Sequence, residues 1–371
     1  MKTPIVILGA VLTALMLAVM VQSQPVVADD GPLVINAVGD VSLPHGNFNK
    51  ILDRQGPKLF DPVRDVLASG DLNFVNVETA VTDKPPSAKK KYAFSMPPRR
   101  LDWLLDAGFN LISLANNHIT DAGEQGIRDT LAALEARQRP DRPLYWSGVS
   151  LDPATRYRPE IFTHKGVRIA FFCVGFDRTS HALEPKSPVH QVRDPAWNKA
   201  IADVRPEVDL IIVSAHFGAE YKHTPHPSTT KFYRGYVDAG ADLILGHHPH
   251  VIRGIEKYKN GVIVHSLGNF AFASRTKRHQ KTNAKMYSMI AQIVVDGGKI
   301  QGLTLHPLYV NNLEPWALGN EKIPRGDFGP IALKGAFAAE VLRAVEGWSN
   351  DIPGNAQIKI DVKDDVGHVR W

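Results

Sequence analysis

Histidines and carboxylates recur in five short motifs, each at the end of an apolar run. The motifs occupy residues 39–40, 76–78, 116–118, 216–220 and 246–250. Imidazole and carboxylate together are the ligand types of Zn, Mn and Fe sites. We therefore predict a site for one or two divalent metal ions. The candidate ligands are Asp40, Glu78, Asn117, His216, His248 and His250.

The metal site is predicted from all five motifs together, because each motif alone has a simpler structural explanation. An aspartate after a strand commonly caps a turn or a helix, and a single histidine is more often a satisfied core or surface residue. His248 and His250 are separated by one proline. On an extended segment, residues two apart project to the same side, so these two imidazoles are expected to point into one volume.

The elements that position the motifs alternate between apolar runs and helix-like stretches. The predicted strands are 33–38, 72–77, 111–114, 167–174, 208–214 and 243–245. The predicted helices between them are 61–69, 99–107, 124–137, 195–204 and 229–239. Continuous apolar strands in this order indicate an α/β fold whose sheet is covered by helices. In such folds, sites form in the crevice beyond the carboxyl ends of the strands, which is where the motifs lie.

The pattern changes after residue 250. Residues 251–258, 262–266, 286–295 and 299–305 are predicted strands joined by glycine-containing turns, and 331–345 is a predicted helix. Residues 83–98 form a long polar segment with four prolines, typical of a lid or binding loop. We divide the chain into a domain over residues 31–310 and a carboxy-terminal extension, 311–371, that packs on it.

Composition and charge exclude little beyond disorder. The 371 residues are 44% hydrophobic and 22% charged, which is ordinary for a globular protein. A net charge of +5 suits an anionic partner without requiring one. The sequence has no concentrated basic stripe, so we expect no nucleic-acid partner.

The first 28 residues are predicted to be an export signal. Lys2 precedes an uncharged apolar run, 5–21, and small residues follow before Asp29. The alternative is an uncleaved membrane anchor, because the run approaches the length of a spanning helix. Either way we expect an exported protein in the periplasm or the cell envelope. The single cysteine, Cys173, lies in an apolar run and is expected to be buried.

The ordered motifs, together with Ser-Leu-Gly-Asn-Phe at 266–270, resemble the CapA family of poly-γ-glutamate capsule-synthesis proteins. The resemblance runs from about residue 33 to 275. That family is in turn similar to the calcineurin-like metallophosphoesterases. The resemblance implies a metallophosphoesterase-like sandwich of two mixed sheets flanked by helices, in four layers α/β/β/α.

The resemblance also implies roles for individual residues. Asp40, Glu78, Asn117, His216, His248 and His250 match metal ligands, and His118 matches a proton donor; Asp121 is its expected orienting partner. Two positions depart from the metallophosphoesterase pattern. Ser42 replaces a histidine, and Glu78 stands where those enzymes have an aspartate. The metal is expected to be Mn, Fe or Zn, as one or two ions.

The expected substrate contacts are Asn116, Glu220, Tyr221 and Asn269; the alternative for Glu220 and Tyr221 is that they orient His216. For Asn269, a tight turn with Phe270 in the core is an equally good interpretation. The resemblance implies a part in the synthesis, export or attachment of poly-γ-glutamate or a related polymer, through a metal-dependent hydrolase or transferase site. A non-catalytic assembly factor and a phosphoesterase on another exported substrate are the alternatives. A membrane synthase complex is a second candidate partner.

Overall fold

The structure is a computed structural model that describes residues 31–176, 188–274, 277–310, 315–324 and 326–371. The predicted export signal lies outside the described residues. The strands are β1 (Leu33–Ser42), β2 (Leu72–Val77), β3 (Ala80–Val81), β4 (Ser95–Met96), β5 (Leu111–Ser113), β6 (Tyr145–Ser147), β7 (Glu160–His164), β8 (Val167–Val174), β9 (Leu210–His216), β10 (Leu243–His247), β11 (Ile255–Tyr258), β12 (Gly261–Val264), β13 (Asn269–Phe272), β14 (Tyr287–Asp296), β15 (Lys299–Val310), β16 (Trp316–Leu318), β17 (Glu321–Ile323), β18 (Pro330–Ala332), β19 (Lys359–Lys363) and β20 (Val366–Arg370).

The helices connect several of these strands. They lie in seven of the connections between consecutive described strands and are α1 (Asn49–Gln55), α2 (Arg64–Ala68), α3 (Pro98–Asp106), α4 (Gly123–Glu135), α5 (Ala196–Val204), α6 (Pro227–Asp238), α7 (Lys277–Thr282) and α8 (Gly335–Asn350). Among the helices described, none combines the length and the apolar character that crossing a bilayer requires.

The described strands form two large mixed sheets. The first contains ten strands along the order β19-β20-β15-β14-β1-β2-β5-β6, with β13 also pairing with β1 and β18 with β15. The second has the order β11-β12-β10-β9-β8-β7. Three strands after residue 310, namely β18, β19 and β20, thus belong to the first sheet.

The two sheets pack face to face. In β9, Leu210 and Ile212 point into the core shared with the first sheet, whereas Ile211 and Val213 point to the other face, against α5 and α6. Phe74 of β2 meets Phe171 of β8 edge to face at 6.0 Å between ring centroids. Strands buried on both faces carry continuous apolar runs, which is why the sequence pattern predicted them.

Helical segments cover the outer face of the first sheet. Phe60, in the 3-10 helix Gly56–Val63, stacks on Phe270 of β13 at 5.9 Å between ring centroids. With α5 and α6 on the second sheet, the order is helices, sheet, sheet, helices. The predicted four-layer arrangement is therefore confirmed.

Several predicted boundaries were wrong for identifiable reasons. The helix predicted over 61–69 is a 3-10 helix followed by the short α2, because Pro62 cannot donate an internal hydrogen bond. The strand predicted over 251–258 begins only at Ile255. The sequence patterns also missed most of the short elements, namely α1, α7, β3, β4, β6, β7, β13 and β16 to β20.

The first strand is longer than predicted, and this change matters for the site. It continues past residue 38 to Ser42, so Asp40 lies within β1 and not after it. β1 pairs with antiparallel β14 as far as Ala37, and from Asp40 onward with parallel β13. The pairing register with β2 shifts between these two residues. Such a bulge turns a side chain out of the regular pleat, which is how Asp40 reaches the end of the sandwich.

Candidate metal centre

The structure brings the predicted ligands together at one end of the sandwich. Asp40 comes from the first sheet, and Glu78 directly follows β2 of the same sheet. His216 is the last residue of β9 in the second sheet, and His248 and His250 follow β10. The centre therefore lies where the carboxyl ends of strands from both sheets meet.

Two groups of three donors have the spacing of metal ligands, and Glu78 is common to both. One group is Asp40, Glu78 and His216, and the other is Glu78, His248 and His250; within each, the ligand atoms lie within 4.8 Å of one another. Both carboxylate oxygens of Glu78 are buried and have no hydrogen-bond partner among the described residues. A buried carboxylate without donors is costly unless a cation balances it. These residues would hold one or two divalent ions, and Glu78 belongs to both donor groups.

The pKa shifts of Asp40 and Glu78 also favour a bound cation. Burial alone would raise the pKa of Asp40, but the hydrogen bond from His247 and the nearby imidazoles outweigh it and hold that pKa below its usual value. Burial, and then the charge of Asp40, raise the pKa of Glu78 well above its usual value. A second negative charge beside Asp40 is thus strongly disfavoured without a cation. A divalent ion would allow both groups to ionise.

His216 is held from both sides in its neutral form. Asn76 Nδ2 donates to its Nδ1 at 3.2 Å, and its Nε2 lies 2.8 Å from Asn117 Oδ1. Burial keeps the pKa of His216 well below its usual value, and neutral imidazole is the form that binds metal. Asn117, predicted as a ligand of the second metal, here contacts the His216 ring.

His248 and His250 reach the centre by a different geometry from the one predicted. The segment is a bend and not an extended strand, with φ of 91° at His248 and 59° at His250. The two ring centroids are nonetheless 5.9 Å apart. Positive φ in a residue other than glycine is strained, and such residues concentrate at functional sites.

His118 has the orienting partner expected of a proton donor. Its Nδ1 lies 2.7 Å from Asp121 Oδ2, the partner predicted from sequence. Its Nε2 faces the centre, 3.8 Å from Glu78 Oε1. Burial lowers the pKa of His118, Asp121 opposes that shift, and Lys90 adds to it.

The predicted substrate contacts divide into two kinds. Asn116 is fully buried; its amide donates to the Val77 carbonyl at 2.8 Å and its Oδ1 accepts from the His118 backbone N–H. Asn269 is also buried, and its Oδ1 lies 2.9 Å from His250 Nδ1. Both amides therefore position neighbouring histidines in this structure.

Glu220 and Tyr221, in contrast, are half-buried, and they mark the solvent-facing side of the centre, here called the opening. Glu220 Oε1 is 3.8 Å from His248 Nε2, and its Oε2 accepts from Arg278 at 2.6 Å. The Tyr221 ring stacks over His250 at 5.7 Å between centroids.

Sequence reasoning missed four residues that shape the centre. Asn76 donates to Asp40 Oδ1 at 2.7 Å, and the buried His247 has its Nδ1 3.2 Å from the same oxygen. Lys90 pairs with Asp121, and Arg278 pairs with Glu220. His247 begins the histidine motif and Asn76 the Asn-x-Glu motif, so a signal existed for these two. The two cations belong to segments distant in sequence, and no local pattern links them to the site.

The site is thus a histidine and carboxylate centre at the strand ends of a sandwich of two mixed sheets. The chain belongs to the bacterial capsule synthesis protein family PGA_cap, whose sequence profile matches residues 34–274.

Two relatives carry the same family resemblance. The PGA biosynthesis protein CapA of Bacillus subtilis (strain 168) is 32% identical over 251 residues, which are 66% of this chain and 64% of that protein. The capsule biosynthesis protein CapA of Bacillus anthracis is 30% identical over 288 residues, 72% of this chain and 67% of that protein. The chain thus spans about two thirds of the length of each relative. A solved 5'-nucleotidase from Candida albicans SC5314 is 13% identical, with a TM-score of 0.36 over 73% of this chain and 49% of that one, too low to carry a conclusion.

Proposed function

We propose that this chain is an exported, metal-dependent hydrolase or transferase that acts on poly-γ-glutamate or a related capsular polymer. The step belongs to the synthesis, export or attachment of that polymer, in the periplasm or the cell envelope. The family membership supports the capsular context, and the names of the two Bacillus relatives refer to PGA and capsule biosynthesis.

One observation carries the catalytic part of the proposal. Two donor groups share Glu78, and an imidazole that belongs to neither group, that of His118, faces Glu78 at 3.8 Å. A bound divalent ion supplies Lewis-acid polarisation of an amide or phosphoryl oxygen and lowers the pKa of water. His118, oriented by Asp121, protonates the leaving group. A purely structural metal site has no need for such an acid beside it.

The second candidate is a non-catalytic assembly factor, and one residue favours it. Ser42 takes the position of the histidine in the metallophosphoesterase pattern, and its buried hydroxyl has no hydrogen-bond partner among the described residues. A centre lacking that ligand would bind its metal more weakly. On this interpretation the chain binds the polymer or a membrane synthase without chemistry.

Metal analysis followed by a substrate screen tests the proposal. Protein purified without chelator should contain one or two equivalents of Mn, Fe or Zn by mass spectrometry, and Glu78→Gln should lose most of it because Glu78 serves both donor groups. The metal-loaded protein should then cleave or transfer γ-glutamyl substrates in preference to phosphoesters and other amides. Full metal occupancy with no turnover on any of these would favour the assembly factor.

A further inference from the structure

The net positive charge of this protein comes from two segments beside the candidate centre. Residues 83–98 contain four lysines and one aspartate, and residues 277–285 contain four cations and no acid. Together they carry a formal charge of +7, whereas the whole chain carries +5, so the remainder is net negative. Solubility alone does not require such a distribution.

Both segments contact the residues that build the centre. From residues 83–98, the Phe94 ring packs on His118 at 4.5 Å between centroids, and Lys90 Nζ donates to the Asn117 carbonyl at 2.7 Å. From residues 277–285, His279 Nε2 lies 3.0 Å from the His250 carbonyl oxygen. The two segments that carry this charge therefore border the centre.

The two segments meet through Arg278. Its guanidinium carbon is 5.7 Å from the centroid of the Tyr92 ring and 5.9 Å from that of Tyr221. Tyr92 is 46% exposed, and with Val362 and Trp371 it is one of three large hydrophobic side chains exposed among the described residues. An exposed ring that packs beside cations at the opening of a site is suited to a ligand that lies across it.

The contact between Arg278 and Glu220 indicates the ligand chemistry. Arg278 Nη1 donates to a carboxylate oxygen at 2.6 Å, and the other oxygen of that carboxylate is 3.8 Å from His248 Nε2. A carboxylate held by Arg278 thus already extends to the edge of the centre. A carboxylate of a bound polymer would find the same planar donor fork there.

We propose that residues 83–98 and 277–285 form a binding surface for a polycarboxylate chain, and that Arg278 receives a carboxylate of that chain in exchange for Glu220. The inference rests on the proposed function and assigns its polymer a place on the surface. Lys89 and Lys91, on either side of Lys90 in the chain, are exposed and belong to this surface. A chain lying along it would present its backbone to the metal ligands.

Binding of fluorescently labelled poly-γ-glutamate, followed by anisotropy, tests this surface. Arg278→Glu and the double variant Lys89→Glu/Lys91→Glu should each bind roughly tenfold more weakly than the wild type, and added salt should weaken wild-type binding. Glu220→Gln should bind more tightly, because it removes the carboxylate that competes for Arg278. If the pair of Arg278 and Glu220 had only a structural role, Arg278→Glu and Glu220→Gln would change the affinity for the polymer in the same direction.

The control is Lys359→Glu/Lys363→Glu, which reverses two exposed charges on β19, four strands from β1 in the first sheet. It should bind like the wild type. Equal losses in this control and in the Lys89/Lys91 variant would overturn the inference, as would tighter binding of a single-stranded oligonucleotide of matched charge. Binding should also persist in His216→Ala and with chelator present. If the protein binds the polymer but shows no turnover, the catalytic proposal is contradicted and the binding surface is not.

Discussion

At the scale of single residues, the centre depends on how each side chain is oriented. Glu78 is flanked by ligands from both donor groups, and Asn76, Asn117 and Asn269 each contact an imidazole. Hydrogen bonds of this kind fix ring orientation and tautomer, and their loss weakens metal sites. The asparagines therefore belong to the centre as much as the charged residues do.

Substitution of His118 tests the acid role at this scale. His118→Ala should lower turnover by about 10²–10⁴-fold, the usual range for general acid catalysis. Metal content and thermal stability should stay near those of the wild type, because His118 belongs to neither donor group. Steady-state kinetics, metal analysis and thermal denaturation provide the three measurements. Full turnover by a folded, metal-loaded His118→Ala protein would rule out the acid role.

At the scale of elements, the site depends on the close approach of β1 to the turn before β13. The Asp40 backbone N–H donates to the Gly268 carbonyl at 2.8 Å. A Cβ on Gly39 would lie 1.9 Å from that same carbonyl oxygen. Only glycine at position 39 lets the bulge in β1 press against this turn and hold Asp40 in place.

Gly39→Ala should therefore destabilise the fold and displace Asp40. We expect a loss of about 3 kcal/mol in the free energy of unfolding, at the upper end for overpacking. Gly302→Ala in β15 is the matched control, because its Cβ would meet nothing within 4 Å. Urea denaturation measures both variants, and equal stability of the two would contradict the close-approach argument.

At the scale of the whole molecule, a buried histidine outside the centre makes the stability of the fold depend on pH. Burial lowers the pKa of His190 to about 4, although the hydrogen bond with the Cys173 carbonyl opposes the shift and Arg156 adds to it. In an unfolded chain a histidine has a pKa of about 6.5. Between these values the unfolded state binds the proton and the folded state does not, so stability falls as pH drops from about 6.5 to 4.

His190→Asn should remove this part of the acid sensitivity. Asparagine cannot take up the proton, and its amide can keep a donor near the Cys173 carbonyl, which accepts from the ring at 3.1 Å. The difference in unfolding free energy between pH 7 and pH 4 should shrink by up to about 3 kcal/mol. The exposed His368→Asn serves as control. An unchanged pH dependence in His190→Asn would contradict the linkage.

The sequence by itself determined the class of fold and the members of the centre. Continuous apolar strands can be buried only between covering layers, and this pattern is local, so the long central strands of both sheets were predictable. Polar residues at the ends of those strands must gather where the strands end, which predicted Asp40, Glu78, His216, His248 and His250 as neighbours. Asp121 was predictable as the partner of His118 because it lies only three residues further along the chain.

The tertiary structure decided what depends on contacts between segments distant in the chain. The bulge at Asp40 arises because β1 changes partner from β14 to β13, and no pattern within β1 records that change. Contacts between distant segments also produce the left-handed backbone at His248 and His250. They likewise bring Arg278 against Tyr92 and Glu220. Local periodicity reports which face of an element is buried. Which side chains meet across the opening is set only when both sheets and their loops have packed.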